Sequence, residues 1–176
     1  MKNIVIKQIC IDRLSEIRSL RVRVWMDQGL TIDHAAEDEI NDDFDFVSEH
    51  YGILKEEKII GSVRVSFHSE ICKSPLPAAF KSVAFPAAPL YAFPSRLVID
   101  PLCQGNGLGQ ILLDTAIPRC INKAPCTIAY TSITSVKESL LKVGFVVIEQ
   151  KVATWCNRKR DFSLLALLNA NSTDCP

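Results

Sequence analysis

The residues with the clearest chemical potential lie between positions 95 and 114, Ser-Arg-Leu-Val-Ile-Asp-Pro-Leu-Cys-Gln-Gly-Asn-Gly-Leu-Gly-Gln-Ile-Leu-Leu-Asp. Gly105, Gly107 and Gly109 remove the Cβ atoms that would keep a ligand away from the backbone, and successive amide N–H groups at the start of a helix form a socket for phosphate. The spacing is Gly-x-Gly-x-Gly, it comes late in the chain, and no Lys-Ser or Lys-Thr follows it. The dinucleotide fingerprint and the P-loop are both excluded. A second chemical asymmetry is the run Asp33, Glu37, Asp38, Glu39, Asp42, Asp43, Asp45 and Glu49, which contains no Lys or Arg. It reads as a local acidic surface able to gather a cation. The seven cysteines contain no Cys-x-x-Cys pair, and His34, His50 and His68 do not sit at ligand spacing from them. Reduced thiols, with neither a zinc site nor a disulfide framework, are expected.

The elements that must position these groups follow from periodicity. Residues 3–10 alternate as a strand half buried on one face, and Asp12 is placed to cap a helix in which Leu14, Ile17, Leu20 or Arg21, and Val24 recur until Gly29. Residues 51–54 and 59–67 form a hairpin about a charged turn. Pro75, Pro77, Pro86, Pro89 and Pro94 mark an irregular excursion holding one short helix at 78–83. A strand at 95–100 precedes a helix over 107–120, which Pro118 kinks or ends. A strand at 127–131, a helix at 135–143 closed by Gly144, and strands at 145–151 and 162–168 complete the series.

Composition bounds the function classes. A chain of 176 residues with 48% hydrophobic content is long enough to bury a core without disulfides or metals. Twenty basic against twenty acidic side chains supply no basic field for nucleic acid. Neither a signal core nor an apolar run of membrane-spanning length is visible, so a cytoplasmic protein with no membrane or nucleic-acid partner is expected. Residues 1–176 read as one α/β domain with a mixed sheet.

Gln104-x-x-Gly107-x-Gly109, after a strand that ends in Asp100-Pro101, resembles the pyrophosphate-binding signature of the GNAT superfamily of acyl-CoA N-acyltransferases. The element order resembles that fold as well. The resemblance implies a single domain with a mixed, largely antiparallel sheet of six or seven strands, helices on both faces and splayed central strands. It implies acetyl-CoA or another acyl-CoA as co-substrate, its pyrophosphate on Gln104, Gly105, Asn106, Gly107, Leu108 and Gly109. The pantetheine would lie along the backbone of Leu97, Val98 and Ile99, with the Ile99 N–H polarising the thioester carbonyl. Members of the family usually carry Tyr-x-x-x-Gly-Phe, the tyrosine protonating the leaving thiolate. Here Leu140 precedes Gly144-Phe145 at that spacing. Tyr130 is a substitute donor by position, or a packed strand aromatic.

The first half is similar to acyl-homoserine-lactone synthases and related N-acyl amino acid synthases. The likeness lies in Arg21-x-x-x-Trp25, Asp42-x-x-Asp45 around Phe44, Gly61-Ser-Val-Arg64 and Ser95-Arg96. It implies that Arg21, Trp25, Asp42, Asp45, Arg64, Ser95 and Arg96 shape the acceptor side. For the arginines a structural ion pair is the competing assignment, and for the two aspartates a solvated helix end. Phe93 stands where those synthases carry a glutamate. Three readings result: an N-acyltransferase moving an acyl group, acetyl first, from coenzyme A to a primary amine of a small molecule or peptide; a synthase taking a longer acyl chain from an acyl carrier protein; and a non-catalytic acyl-CoA sensor. The oligomeric state, monomer or homodimer, stays open.

Overall fold

Alternating and helical apolar spacings resolve into seven strands and four α-helices in the computed structural model, which describes residues 3–30, 33–156 and 158–168. Cys175 and the rest of the last eight positions lie outside the described residues. In chain order the elements are β1 (Ile4–Ile9), α1 (Leu14–Asp27), α2 (His34–Ile40), β2 (Glu49–Lys55), β3 (Lys58–His68), β4 (Tyr91–Ile99), α3 (Leu108–Lys123), β5 (Cys126–Thr131), α4 (Thr134–Lys142), β6 (Val146–Trp155) and β7 (Arg158–Leu168). The strands form one sheet in the order β1-β2-β3-β4-β5-β7-β6. Every neighbouring pair is antiparallel except β4 and β5. The expected mixed, largely antiparallel α/β sheet is therefore present.

Strand alternation sends successive side chains to opposite faces, and each face has its own helix. Leu54, Ile59 and Val98 pack against Leu14, Ile17, Leu20 and Val24 of α1. Ile53, Ile60, Val63 and Ala92 pack against Leu108, Leu112 and Ala116 of α3. On the α3 side, α4 joins through Leu140, which meets Leu113, Ile117, Ala129 and Leu165. Beyond α1, the other face is covered by the proline-rich excursion. Its Leu76 and Phe80 pack on Tyr91, Phe93, Cys126, Ile128, Phe162 and Leu164.

Several local expectations are corrected. Asp12 does not cap α1: it lies one residue too early, inside a 3-10 turn, where its carboxylate accepts from the Cys10 thiol. β1 is exposed along most of its length because it is the sheet edge and α1 covers only the Ile9 end. The short helix at 78–83 is a single 3-10 turn, Ala78–Phe80. β4 begins at Tyr91, ahead of the expected start, because its pairing with β3 extends to His68. α3 continues through Pro118 to Lys123. Pro118 and Asp114, whose carbonyl loses its amide partner, both lie on the exposed side of the helix, so water replaces the missing bond while Ile117 and Cys120 keep the inner face packed.

The excursion is thus a packed layer and no lid. Phe80 has no exposed surface, and Phe80→Ala is expected to lower the unfolding free energy by about 3–5 kcal/mol in urea titration. A loss below about 1 kcal/mol would show that the segment contributes no core.

Candidate active site

The glycine turn is held by its own side chains. Asp100 accepts from the Leu102 N–H at 3.2 Å, Gln104 Nε2 donates to the Ile99 carbonyl at 3.0 Å, and Asn106 Nδ2 donates to the carbonyls of Cys103 and Gln104. Gly107 then enters the left-handed region, φ +73°, as the residue before α3. A Cβ at Gly105 or Gly107 would meet nothing within 4 Å, and one at Gly109 only a Leu97 methyl at 4.0 Å. The first helical bond runs from the Ile111 N–H to the Gly107 carbonyl. The amides of Leu108, Gly109 and Gln110 are ahead of it and have no intrahelical acceptor. Leu108 and Gly109 line a cleft together with Gln28, Leu97, Val98, Ile99 and Gln104. Of the loop residues singled out in the sequence, Asn106 alone is absent from that lining, because its amide ties the turn together.

β4 and β5 pair only at Tyr91↔Cys126 and Ala92↔Thr127, and then separate. Pro94, which has no N–H to give, sits just beyond the last pair. Opposite β3, Ser62↔Val98 is followed by Arg64↔Ser95, so Arg96 and Leu97 both oppose Val63. This is a β-bulge, and Arg96 takes φ +55° within it. The Asp100 N–H donates to Ile60. Ladder alternation therefore turns the N–H groups of Ile99 and Leu97 away from β3, towards the opening left by β5. A second cavity occupies that opening. It shares Leu97, Ile133 and Val136 with the first, and is lined also by Trp25, Ser95, Arg96, Tyr130, Leu140 and Trp155.

Beneath the cavity lies a dense charge cluster. Asp45 has no exposed surface and accepts from Arg21 Nη1 with both oxygens at 2.8 Å, from Arg18 Nε at 3.1 Å and from Arg64 Nη1 at 3.1 Å. Asp42 accepts from both Nη groups of Arg64 and from Arg96 Nη2 at 2.7 Å. Arg64 Nε reaches Ser95 Oγ. Burial, helped by the neighbouring Arg64 and Arg96, lowers the Arg21 pKa to about 10 against the pull of Asp45. Burial alone would raise the Asp45 carboxyl, but the charge and hydrogen bonds of Arg21, with Arg64, hold it below its usual value. The acidic segment is an open surface only in part: Glu37, Asp38 and Asp43 are exposed, while the others are engaged. Asp42 and Asp45 face arginines, Asp33 caps α2 through the Ala36 N–H, Glu39 accepts from the Cys156 N–H, and Glu49 pairs with Arg119.

Arg21, Asp42, Asp45, Arg64, Ser95 and Arg96 therefore meet in one network, although only Ser95 and Arg96 of these line the cavity. Trp25 lines it from α1 and touches Trp155, ring centroids 4.5 Å apart. Tyr130 donates to the Pro75 carbonyl at 3.3 Å and receives Arg96 Nη1 at 3.5 Å. Leu140 is buried yet lines the cavity. Sequence reasoning misses Arg18, Trp155 and Phe162. The three-residue step from Arg18 to Arg21 on one helix was a usable signal, whereas nothing local marks the two aromatics.

A sequence model of the Acetyltransferase (GNAT) family matches residues 14–139. No curated protein sequence matches the chain. Among solved structures, a GNAT-family acetyltransferase from Streptococcus pneumoniae is 17% identical, with TM-score 0.66 over 94% of this chain and 99% of that one. A Drosophila melanogaster polyamine N-acetyltransferase that forms N-acetylagmatine is 11% identical, with TM-score 0.72 over 94% and 100%. An IAA acetyltransferase from Bacillus cereus is 14% identical, with TM-score 0.62 over 94% and 99%.

Leaving buried guanidiniums unpaired is costly, so Asp45→Asn is expected to destabilise the fold by about 3–5 kcal/mol. Because the folded Asp45 pKa is depressed, its stabilisation is complete above the unfolded value near 4 and is lost as pH falls through the folded value. Thermal melts from pH 3 to 7 should therefore show a smaller gap between wild type and variant at the acid end. A constant gap would remove Asp45 from the acid-sensitive groups.

Proposed function

Because the chain belongs to the GNAT acetyltransferase family, we propose that it transfers an acyl group, with acetyl the first choice, from coenzyme A to the primary amine of a small molecule or peptide. The observation that carries this reading is continuity: the amide socket at the start of α3 and the cavity between β4 and β5 share Leu97, Ile133 and Val136. Solved neighbours named for polyamine and agmatine acetylation support an amine as acceptor.

The residues present fit an acyl-CoA, which when bound supplies the activated thioester. The amides of Leu108, Gly109 and Gln110 receive the pyrophosphate, where the missing Cβ atoms at Gly105 and Gly107 leave room. The outward edge of β4 hydrogen-bonds the pantetheine through Ile99. Leu97 belongs to both cavities and Ile99 only to the loop end, so the N–H that polarises the thioester carbonyl is assigned to Leu97, one alternation further along than Ile99. Attack by the amine forms the amide, breaks the thioester C–S bond and expels the coenzyme A thiolate, a good enough leaving group for water to protonate it. Tyr130 donates to the Pro75 carbonyl and touches Arg96, so we assign it no role as the acid.

An alkylamine at pH 7 is free in roughly one molecule in a few thousand. None of the described cavity-lining residues is Asp, Glu or His. The proton therefore leaves through water ordered by the hydroxyls of Ser95, Tyr130, Thr131 and Ser132. A second reading, a longer acyl group with coenzyme A or a carrier protein as donor, is favoured by the apolar side of the cavity, Leu113, Ala129, Val136 and Leu140. Rates across acyl-CoAs of increasing chain length separate the two.

Gly109→Asp introduces a carboxylate into the socket, where its Cβ meets only a Leu97 methyl at 4.0 Å. It is expected to weaken coenzyme A binding by at least about 100-fold in calorimetry while the melting temperature stays within a few degrees. Unchanged affinity would overturn the pyrophosphate assignment. Tyr130→Phe should lower kcat in a thiol-release assay by less than about tenfold, and a larger fall at unchanged stability would restore Tyr130 as the acid.

A further inference from the structure

Among the described residues that line the cavity between the splayed strands, Arg96 is the one that carries a charge. A polyamine or other cation would meet a like charge there, with no carboxylate on the wall to receive it. The cluster behind Arg96 deepens this bias. Arg18, Arg21, Arg64 and Arg96 share two carboxylates, Asp42 and Asp45, as their ion-pair partners. Arg21 Nε, Arg21 Nη2 and Arg96 Nε are buried without a partner. Arg96 is anchored from behind, Nη2 donating to Asp42 and to the Glu39 carbonyl. The Glu39 carboxylate is itself taken by the Cys156 N–H at 2.6 Å. Nη1 of Arg96 is left with a contact to the Tyr130 hydroxyl at 3.5 Å, the limit of a hydrogen bond.

The facing wall is apolar and aromatic, with Trp25, Trp155 and Phe162. Behind the tryptophans, Arg160 lies 5.4 and 5.6 Å from the two rings, and its Nε also lacks a partner. That end of the cavity therefore combines fixed positive charge with a broad apolar surface. It suits an anionic group joined to a hydrophobic one.

We propose that the acceptor is an amino acid with an apolar or aromatic side chain. Its carboxylate pairs with Arg96 Nη1 in place of the weak Tyr130 contact, its side chain lies against Trp25, Trp155 and Phe162, and its amine points to the Leu97 edge of β4. Guanidinium and carboxylate form a charge-assisted hydrogen bond, stronger than a bond between neutral groups. This inference rests on the acyltransferase reading above and adds the acceptor class to it.

The test compares each amino acid with the amine that differs from it only by loss of the carboxylate: phenylalanine with phenethylamine, leucine with isoamylamine, lysine with cadaverine. Thiol release from acetyl-CoA and from a longer acyl-CoA is measured, with products identified by mass spectrometry. The hydrophobic amino acids are expected to exceed their decarboxylated partners in kcat/KM by at least about tenfold. Arg96→Gln should bring that ratio close to one, and Arg96→Lys should keep part of it. Equal or faster turnover of the decarboxylated amines by the wild-type protein would overturn the proposal, as would an unchanged ratio in a folded Arg96→Gln variant. If Arg96→Gln fails to fold, the wild-type ratio decides. Absence of thiol release with every amine would instead overturn the acyltransferase reading. Calorimetry of the same pairs on protein loaded with coenzyme A would then decide the acceptor class, with tighter binding of the amino acids supporting it and equal binding overturning it.

Discussion

The Asp45 carboxylate sits with no exposed surface among the guanidiniums of Arg18, Arg21 and Arg64, an arrangement whose desolvation costs several kcal/mol per ion unless donors and acceptors meet at close range. Those arginines come from α1 and β3, and Arg64 passes the constraint to Ser95 and, through Asp42, to Arg96 on β4. One short stretch between α2 and β2 thereby fixes the distance between a helix on one face and the two central strands. The cavity inherits its shape from that fixation. Arg96 is held against Asp42 in a left-handed backbone conformation that a non-glycine residue adopts only when its surroundings compensate the strain.

The parting of β4 from β5 follows from equally local causes. Two residues share the space opposite Val63, Pro94 lacks an amide, and the parallel pairing ends at Ala92. With its neighbour gone, the outer edge of β4 keeps unpaired backbone groups at Leu97 and Ile99. An extended, amide-bearing ligand can bind there as an added strand, in the same way that peptides add to exposed sheet edges. At Leu97 and Ile99 it is thus the main chain that is offered to a ligand, as the alternation of the strand requires.

Much of this is legible in the sequence, for identifiable reasons. The loop is legible because its requirement is local: three glycines at alternate positions just after a strand and before a helix. The inner face of α1 is legible because Leu14, Ile17, Leu20 and Val24 recur at helical spacing, and Arg21 falls on that face. What the sequence hides is the partner that makes burial of Arg21 tolerable. Asp45 is 24 positions away, and Asp42 is 54 from Arg96, so a run of acidic residues looks like an open surface until the fold brings the arginines onto it. Proline rules mislead in a related way. Pro118 breaks a helix only where water cannot replace the lost bond, and Pro94 is excluded from a strand only where a neighbour needs its amide. Both conditions are set by tertiary packing, and neither can be read from adjacent residues.

The contact between Trp25 and Trp155 has a consequence for how the protein can be watched. The chain contains two tryptophans, and both line the same cavity, with ring centroids 4.5 Å apart. Indoles this close couple electronically, so the tryptophan bands of the near-ultraviolet circular dichroism and the tryptophan emission arise from one place in the molecule. A ligand that enters the cavity must alter the surroundings of both rings, whereas one confined to the glycine loop touches neither. The protein therefore carries a built-in optical probe that distinguishes occupancy of the cavity between β4 and β5 from occupancy of the glycine loop.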